Sequence, residues 1–307
     1  MCLANANCVQ ILRELPLREM IVVTGAGPSA PGCCMTNELV DAVAAACHCP
    51  PPNDWNRLDA FFQIAHDSDP NQYYATIRDK FSPPFAADPR IYRLLAAVEF
   101  RAYVTWDYDD LFPQAMLNSR GSLDGKFTYY PQQEMFLPFD LHSQRLVAAH
   151  GFADLNDPHW ERKLVLKTAD YQAAYTLDRN SDGTGGLLAW WCQILSSVSC
   201  LFIGTSLNEP GISSAIEYLI KDSNVPFRGQ RHVCLVPLGL EFPKNEPAPA
   251  FDPLFETVQR LPYHPEDVRH RGLLRIWQEV TGVTEPQIPV RRQTVPELRF
   301  GEAEPQP

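Results

Sequence analysis

The chain has 307 residues, 45% of them hydrophobic, with 26 basic side chains against 37 acidic ones and a formal charge of −11. That length and apolar content suffice for one large α/β domain or two smaller ones and exclude disorder of the whole chain. The acidic balance excludes a broad phosphate-backbone surface, which needs clustered Lys and Arg, but allows a small nucleotide held by backbone amides and a helix N-terminus.

The first eight residues lack the basic start and apolar stretch of a signal peptide, and no apolar run reaches spanning length. The expectation is a cytoplasmic protein with no membrane contact and no direct nucleic-acid partner. Nine cysteines occur without any Cys-x-x-Cys spacing, which argues against a zinc ribbon. Cys47-His48-Cys49 reads as reduced thiols, because adjacent side chains seldom meet one tetrahedral ion.

Met20-Ile21-Val22-Val23 is a β-branched run ending in Gly25-Ala26-Gly27, and Leu39, Val40, Val43 and Ala44 recur at helical spacing beyond Thr36. This predicts strand, tight turn, helix, with Pro50-Pro51-Pro52 as the stop. From Trp55 to about Ala97 the pattern is helical with a break at Pro83-Pro84, a helical insertion. Phe100 to Thr105 predicts a second strand that enters the loop Thr105-Trp106-Asp107-Tyr108-Asp109-Asp110. Residues 121–145 carry no clear period.

Arg145 to Ala149 is a short apolar strand delivering His150-Gly151, Lys163 to Leu166 reads as a further strand, and Asp170 to Tyr175 as helical. After the glycine-rich loop at 180–186, Leu187 to Val198 predicts an apolar helix in which Trp190 and Trp191 pack, as does His142 in its own mixed segment. Cys200 to Ile203 predicts a buried strand entering Gly204-Thr205-Ser206-Leu207-Asn208, Ile212 to Ile220 a helix, and His232 to Val236 a last strand. Strands alternating with helices, with polar loops after the strands, predict a Rossmann-like doubly wound parallel sheet with a helical insertion. The expected domain is 1–284 with the insertion at about 50–97, followed by a polar tail at 285–307.

Polar loops at the ends of separate parallel strands converge on one crevice, so the sequence outlines a nucleotide site. Gly25-Ala26-Gly27 permits close approach of a pyrophosphate. The Gly-x-Gly-x-x-Gly pattern of dehydrogenases is incomplete, since Ala30 stands at the third position. Asp107 and Asp109 are candidates for the site or for capping the next helix. Gly204-Thr205-Ser206 offers hydroxyls or simply a turn, and it lacks the last glycine of a nucleophile elbow.

These elements resemble, in the same order, those of the sirtuins and their bacterial sirtuin-like relatives. Gly25-Ala26-Gly27-Pro28-Ser29 with Pro31-Gly32 looks like the first nucleotide loop, and Thr105 to Leu111 like the Thr-x-Asn-Tyr-Asp-x-Leu element. His150-Gly151 looks like the catalytic His-Gly, and Leu201 to Leu207 like the late Gly-x-Ser loop. The resemblance implies NAD as the substrate, bound by Gly25, Ala26, Gly27, Ser29, Thr105, Asp109, Gly204, Thr205, Ser206 and Asn208. It also implies catalysis by His150, acting as a base, and by the residue at Asp107.

Two departures narrow the expectation. The zinc ribbon of protein-deacylating sirtuins is missing, so no zinc is expected and the implied relatives are the NAD-cleaving proteins of bacterial antiphage defence. The family's Asn falls on Asp107, a carboxylate that can accept hydrogen bonds and stabilise positive charge but cannot donate as an amide does. The expected function is NAD hydrolysis to nicotinamide and ADP-ribose. The rivals are a regulatory subunit that binds NAD or ADP-ribose, and a protein deacylase or ADP-ribosyltransferase. A homo-oligomer and a partner protein supplying a trigger are further implications of the resemblance.

Overall fold

A computed structural model describes residues 2–29, 33, 36–53, 57–81, 90–123, 126–139, 144–153, 159–181, 183–205, 210–221, 232–238, 258–266 and 271–283. The tail from 285 onward, His142, Ser206 and Asn208 lie outside the described residues.

Seven strands form one sheet in the order β3-β4-β2-β1-β5-β6-β7, every neighbouring pair parallel. They are β1 (Ile21–Thr24), β2 (Ala102–Thr105), β3 (Phe127–Tyr129), β4 (Leu146–Ala148), β5 (Cys200–Ile203), β6 (His232–Pro237) and β7 (Val258–Tyr263). The helices are α1 (Leu3–Glu14), α2 (Thr36–Ala46), α3 (Leu58–Ser68), α4 (Pro70–Lys80), α5 (Arg90–Ala97) and α6 (Leu111–Arg120). They continue with α7 (Thr168–Ala174), α8 (Leu187–Ser197), α9 (Pro210–Lys221) and α10 (Arg271–Thr281). This is the Rossmann-like α/β architecture that the alternation of strands and helices predicts.

The inner strands are apolar on both faces because helices cover both faces. Met20, Val22, Tyr103, Leu146 and Leu201 pack with residues of α1 to α6 and α10 in one core. Ile21, Val23, Ala102, Val104 and Phe202 pack with α8 and α9 in the other. Successive residues of a strand point to opposite faces, so each four-residue strand feeds both cores at once.

The chain steps from β1 to β2, out to the edge at β3, back inside to β4, and then across to β5 on the far side of β1. The strand order therefore reverses between β1 and β5, where an open α/β sheet forms its crevice. Register sharpens this. Thr24 lies opposite Thr105 and Ile203, and Thr105 lies opposite Ala148, so four neighbouring strands end at one level.

Two segments differ from the periodicity. Lys163 to Leu166 is not a strand: Trp160–Lys163 is a 3-10 turn, and Leu164 to Leu166 runs outside the sheet, with the Val165 amide donating to the His150 carbonyl. β7 carries alternating polar residues and Pro262, tolerated because it is an edge strand. Its apolar positions are too sparse to stand out in the sequence.

Candidate functional site

The loops that follow β1, β2, β4 and β5 meet along the line that the register sets. The β1 and β5 loops touch backbone to backbone. Gly27 donates its amide to the Gly204 carbonyl at 3.2 Å, and Gly25 donates to Ile203 at 3.1 Å. A Cβ on Gly25 would lie 2.6 Å from the Gly204 oxygen, and one on Gly27 would lie 2.7 Å from the Gly204 Cα. Gly204 itself has φ +66°, a left-handed conformation that disfavours side chains. These three glycines thus let two loops meet at the switch point, and the amides of Gly25 and Gly27 are committed to that junction. Ala26 lies between them, in the loop that the following 3-10 turn Gly27–Ser29 closes, and Thr205 follows Gly204 at the opposite rim.

The β2 loop holds two buried carboxyl groups. Asp107 Oδ2 accepts from the hydroxyls of Ser29, out of the β1 loop, and of Tyr92, out of α5, the latter at 3.1 Å. Those hydroxyls lie 2.8 Å from each other. Thr105 Oγ1 accepts from the Asp107 amide at 3.0 Å, so its hydroxyl shapes the loop. Asp109 Oδ1 accepts from the Leu111 amide at 2.8 Å, which ties it to the start of α6. Its other oxygen, Oδ2, is buried without a hydrogen-bond partner among the described residues.

Burial sets the charge of this pair. Asp109 is pushed well above the usual carboxylate range, first by desolvation and then by the charge of Asp107. Asp107 is also raised by burial, but the Ser29 and Tyr92 hydroxyls favour its ionised form. Charge is therefore better accommodated on Asp107, and Asp109 takes the proton first. A buried carboxyl oxygen lacking a protein partner is costly unless a ligand supplies one. The Asp109 Oδ2 accordingly fits a ligand hydroxyl, such as a ribose offers.

His150 follows β4 and is 2% exposed. Its Nε2 lies 2.7 Å from the hydroxyl of Tyr175. The imidazole sits roughly parallel to Trp106, with centroids 6.2 Å apart and an interplanar angle of 22°, and meets Tyr171 and Tyr175 edge-on. Gly151 behind it has φ +89°, and a Cβ there would run into the Lys163 carbonyl. The crossing segment at 163–166 and the His-Gly turn thus hold each other in place.

The structure brings Gly25, Ala26, Gly27, Ser29, Thr105, Asp107, Asp109, His150, Gly204 and Thr205 to the same end of the sheet. Sequence reasoning did not single out Tyr92, which sits in an ordinary apolar helix pattern, or Tyr175. For Tyr175 a signal existed: Tyr171 and Tyr175 stand four residues apart on a predicted helix soon after His-Gly. Among the described residues, no cluster of His, Cys, Asp and Glu could hold a metal ion, and no helix is long and apolar enough to cross a membrane.

No curated protein matches the chain. A family model described as the SIR2-like domain matches residues 101–256, from β2 through the segment after β6, half of the chain. The matched region contains Asp107, Asp109, His150 and Gly204, and β1 adds the glycine turn from outside it by pairing with β2 and β5. With an α/β sheet, a crevice at its switch point and a family model over the loops that line it, the chain belongs to the SIR2-like domain family, whose domains bind NAD.

Proposed function

We propose that the protein hydrolyses the N-glycosidic bond of NAD, releasing nicotinamide and ADP-ribose, and that it serves bacterial antiphage defence by depleting NAD. The observation that carries this reading is the meeting of buried Asp107, Asp109 and His150 beside the β1/β5 switch point. NAD enters as substrate. In cleavage, the bond between the ribosyl carbon and the nicotinamide nitrogen breaks, and its electron pair neutralises the pyridinium. Water adds to the ribosyl carbon and its proton passes to His150.

Positive charge develops on the ribosyl carbon as the bond breaks. Asp107, whose negative charge two hydroxyls support, would stabilise that centre in a water-poor site where electrostatics act strongly. Asp109 Oδ2 would take a ribose hydroxyl. The defence role, oligomerisation and a triggering partner rest on the likeness to bacterial relatives described above.

The test is chromatography of NAD incubated with purified protein. Nicotinamide release is expected from the wild type, and more slowly from Asp107→Asn, which removes the negative charge that would face the ribosyl carbon. Release is expected to fall by about 10²- to 10⁴-fold in His150→Ala. Retained NAD binding with no release from either wild type or Asp107→Asn would overturn hydrolysis. That outcome favours the second reading, a regulatory subunit that binds NAD or ADP-ribose, which the carboxylate at position 107 in place of the family's Asn supports.

A further inference from the structure

The geometry points to Tyr175 as an internal latch on His150: its hydroxyl occupies the place of a ligand hydroxyl, and the site opens when α7 is released from α3. This deepens the proposed function and rests on it for the role of His150.

Tyr175 directly follows α7 and reaches His150 Nε2 at 2.7 Å. A base that acts on water or on a ribose hydroxyl must present a ring nitrogen to it, and here a protein hydroxyl holds that nitrogen. The tyrosine also touches the helix that follows the β5 loop. Its ring packs so closely on Gly211, in the first turn of α9, that a Cβ there would overlap the ring atoms. α9 follows the β5 loop at the switch point, so one side chain is wedged between the candidate base and the helix that borders the nucleotide crevice. With Tyr171 stacked on Tyr175 at 5.6 Å and 14° and Trp106 roughly parallel to the imidazole, His150 is left 2% exposed.

What holds α7 is equally specific. Thr168 Oγ1 donates to Asp59 Oδ2 of α3 at 2.7 Å, and the Ala169 amide donates to Gln63 Oε1 of α3 at 3.1 Å. Just ahead of α7, Trp160 meets Tyr74 of α4 edge-on at 6.2 Å. The α3–α4 pair therefore grips the start of the helix whose end caps the histidine. A partner or ligand that breaks these contacts with α3 would free α7 and withdraw the Tyr175 hydroxyl, which couples an outer helix to the buried base through contacts present in the fold.

The latch is tested on the full chain by carbethoxylation with diethyl pyrocarbonate, with peptide mapping to follow each histidine. His150 is expected to react far more slowly than an exposed histidine such as His159. Tyr175→Phe, which keeps the ring and deletes the hydroxyl, is expected to raise the His150 rate by about 2- to 10-fold, the range that one neutral hydrogen bond is worth. Thr168→Ala, remote from the crevice, is expected to raise it in the same direction and to a smaller extent. Calorimetry is expected to find tighter NAD binding in both variants than in the wild type, and chromatography faster nicotinamide release.

A His150 rate unchanged in both variants, or a wild-type rate equal to that of His159, would overturn the latch. So would slower nicotinamide release from Tyr175→Phe, which marks the tyrosine as an aid to His150 instead. Failure of the hydrolysis reading looks different: His150 reactivity and NAD affinity rise in the variants while none of them releases nicotinamide.

Discussion

Two buried histidines, one at each end of the sheet, are held in opposite ways. His232 opens β6 at the amino end, where Nδ1 accepts from the Cys200 amide at 3.2 Å and Nε2 pairs with the Leu195 carbonyl at 3.1 Å. Arg145, at the same end, donates to the carbonyls of Glu134 and Pro138 at 2.6 and 3.1 Å, and also to that of Leu137. Those groups are satisfied by backbone and fasten loops to strands. At the carboxyl end, His150 pairs with a side-chain hydroxyl from another element, two carboxyl groups share a small buried space, and Asp109 Oδ2 and Trp106 Nε1 have no hydrogen-bond partner among the described residues. Burial alone does not mark function; the kind of partner does.

The sharpest way to break this comparison is to truncate both histidines. His150→Ala is expected to lower nicotinamide release by about 10²- to 10⁴-fold, roughly 3–5 kcal/mol of transition-state stabilisation, with little loss of thermal stability. His232→Ala is expected to strand a buried amide and a carbonyl, costing about 1–3 kcal/mol in denaturant unfolding, while the rate of the folded protein holds. Exchanged outcomes would refute the division between the two ends.

A second test asks whether the carboxyl end is built as tightly as its geometry implies. Gly151→Ala combines a left-handed φ with a methyl group driven into the Lys163 carbonyl, and is expected to cost about 3 kcal/mol or more. Urea titration measures this directly, and a midpoint near that of the wild type would show that the His-Gly turn yields easily.

pH separates the ends further. Burial pushes His232 down to about 4, whereas in the unfolded chain it titrates near about 6.5. The stability this group supports is complete above the unfolded value and is lost as pH falls, because the unfolded chain takes up a proton that the folded one refuses. The loss amounts to about 3 kcal/mol by the time the folded value is reached. His232→Ala should flatten that acid limb in unfolding measured across pH.

Asp109 works in the other direction. Its folded pKa is raised, so its contribution is present at low pH and is lost as pH rises through the folded value. Asp109→Asn is therefore expected to melt with the wild type in acid and above it in alkali, as followed by calorimetry. Equal melting temperatures at alkaline pH would place the proton elsewhere in the pair.

Much of this molecule is legible in its sequence. β-branched runs at Ile21 and Val104 and the apolar run before Gly204 specify buried parallel strands, because covered strands need apolar residues on both faces. Polar loops directly after them locate the site at one end of the sheet. The amphipathic spacing of Leu39, Val40 and Val43 specifies α2. Lys163 to Leu166 shows the limit: it is as apolar as β4, yet it crosses over the His-Gly turn instead of joining the sheet, and nothing in its local pattern distinguishes the two outcomes.

The sequence by itself determined that β1, β2, β4, β5 and β6 are strands, which loops carry acid, histidine and glycine, and that they follow one another as a SIR2-like chain does. Only the tertiary structure decided that β4 lies between β3 and β2, which places His150 beside the Asp107 loop. It also decided that Ser29 and Tyr92 support one carboxylate, and that Tyr175 holds the imidazole. The reason is physical. Periodicity records the environment of each residue along its own element, whereas strand order and side-chain partnership join residues far apart in the chain, 78 positions for Ser29 and Asp107, and are set by how the crossovers pack.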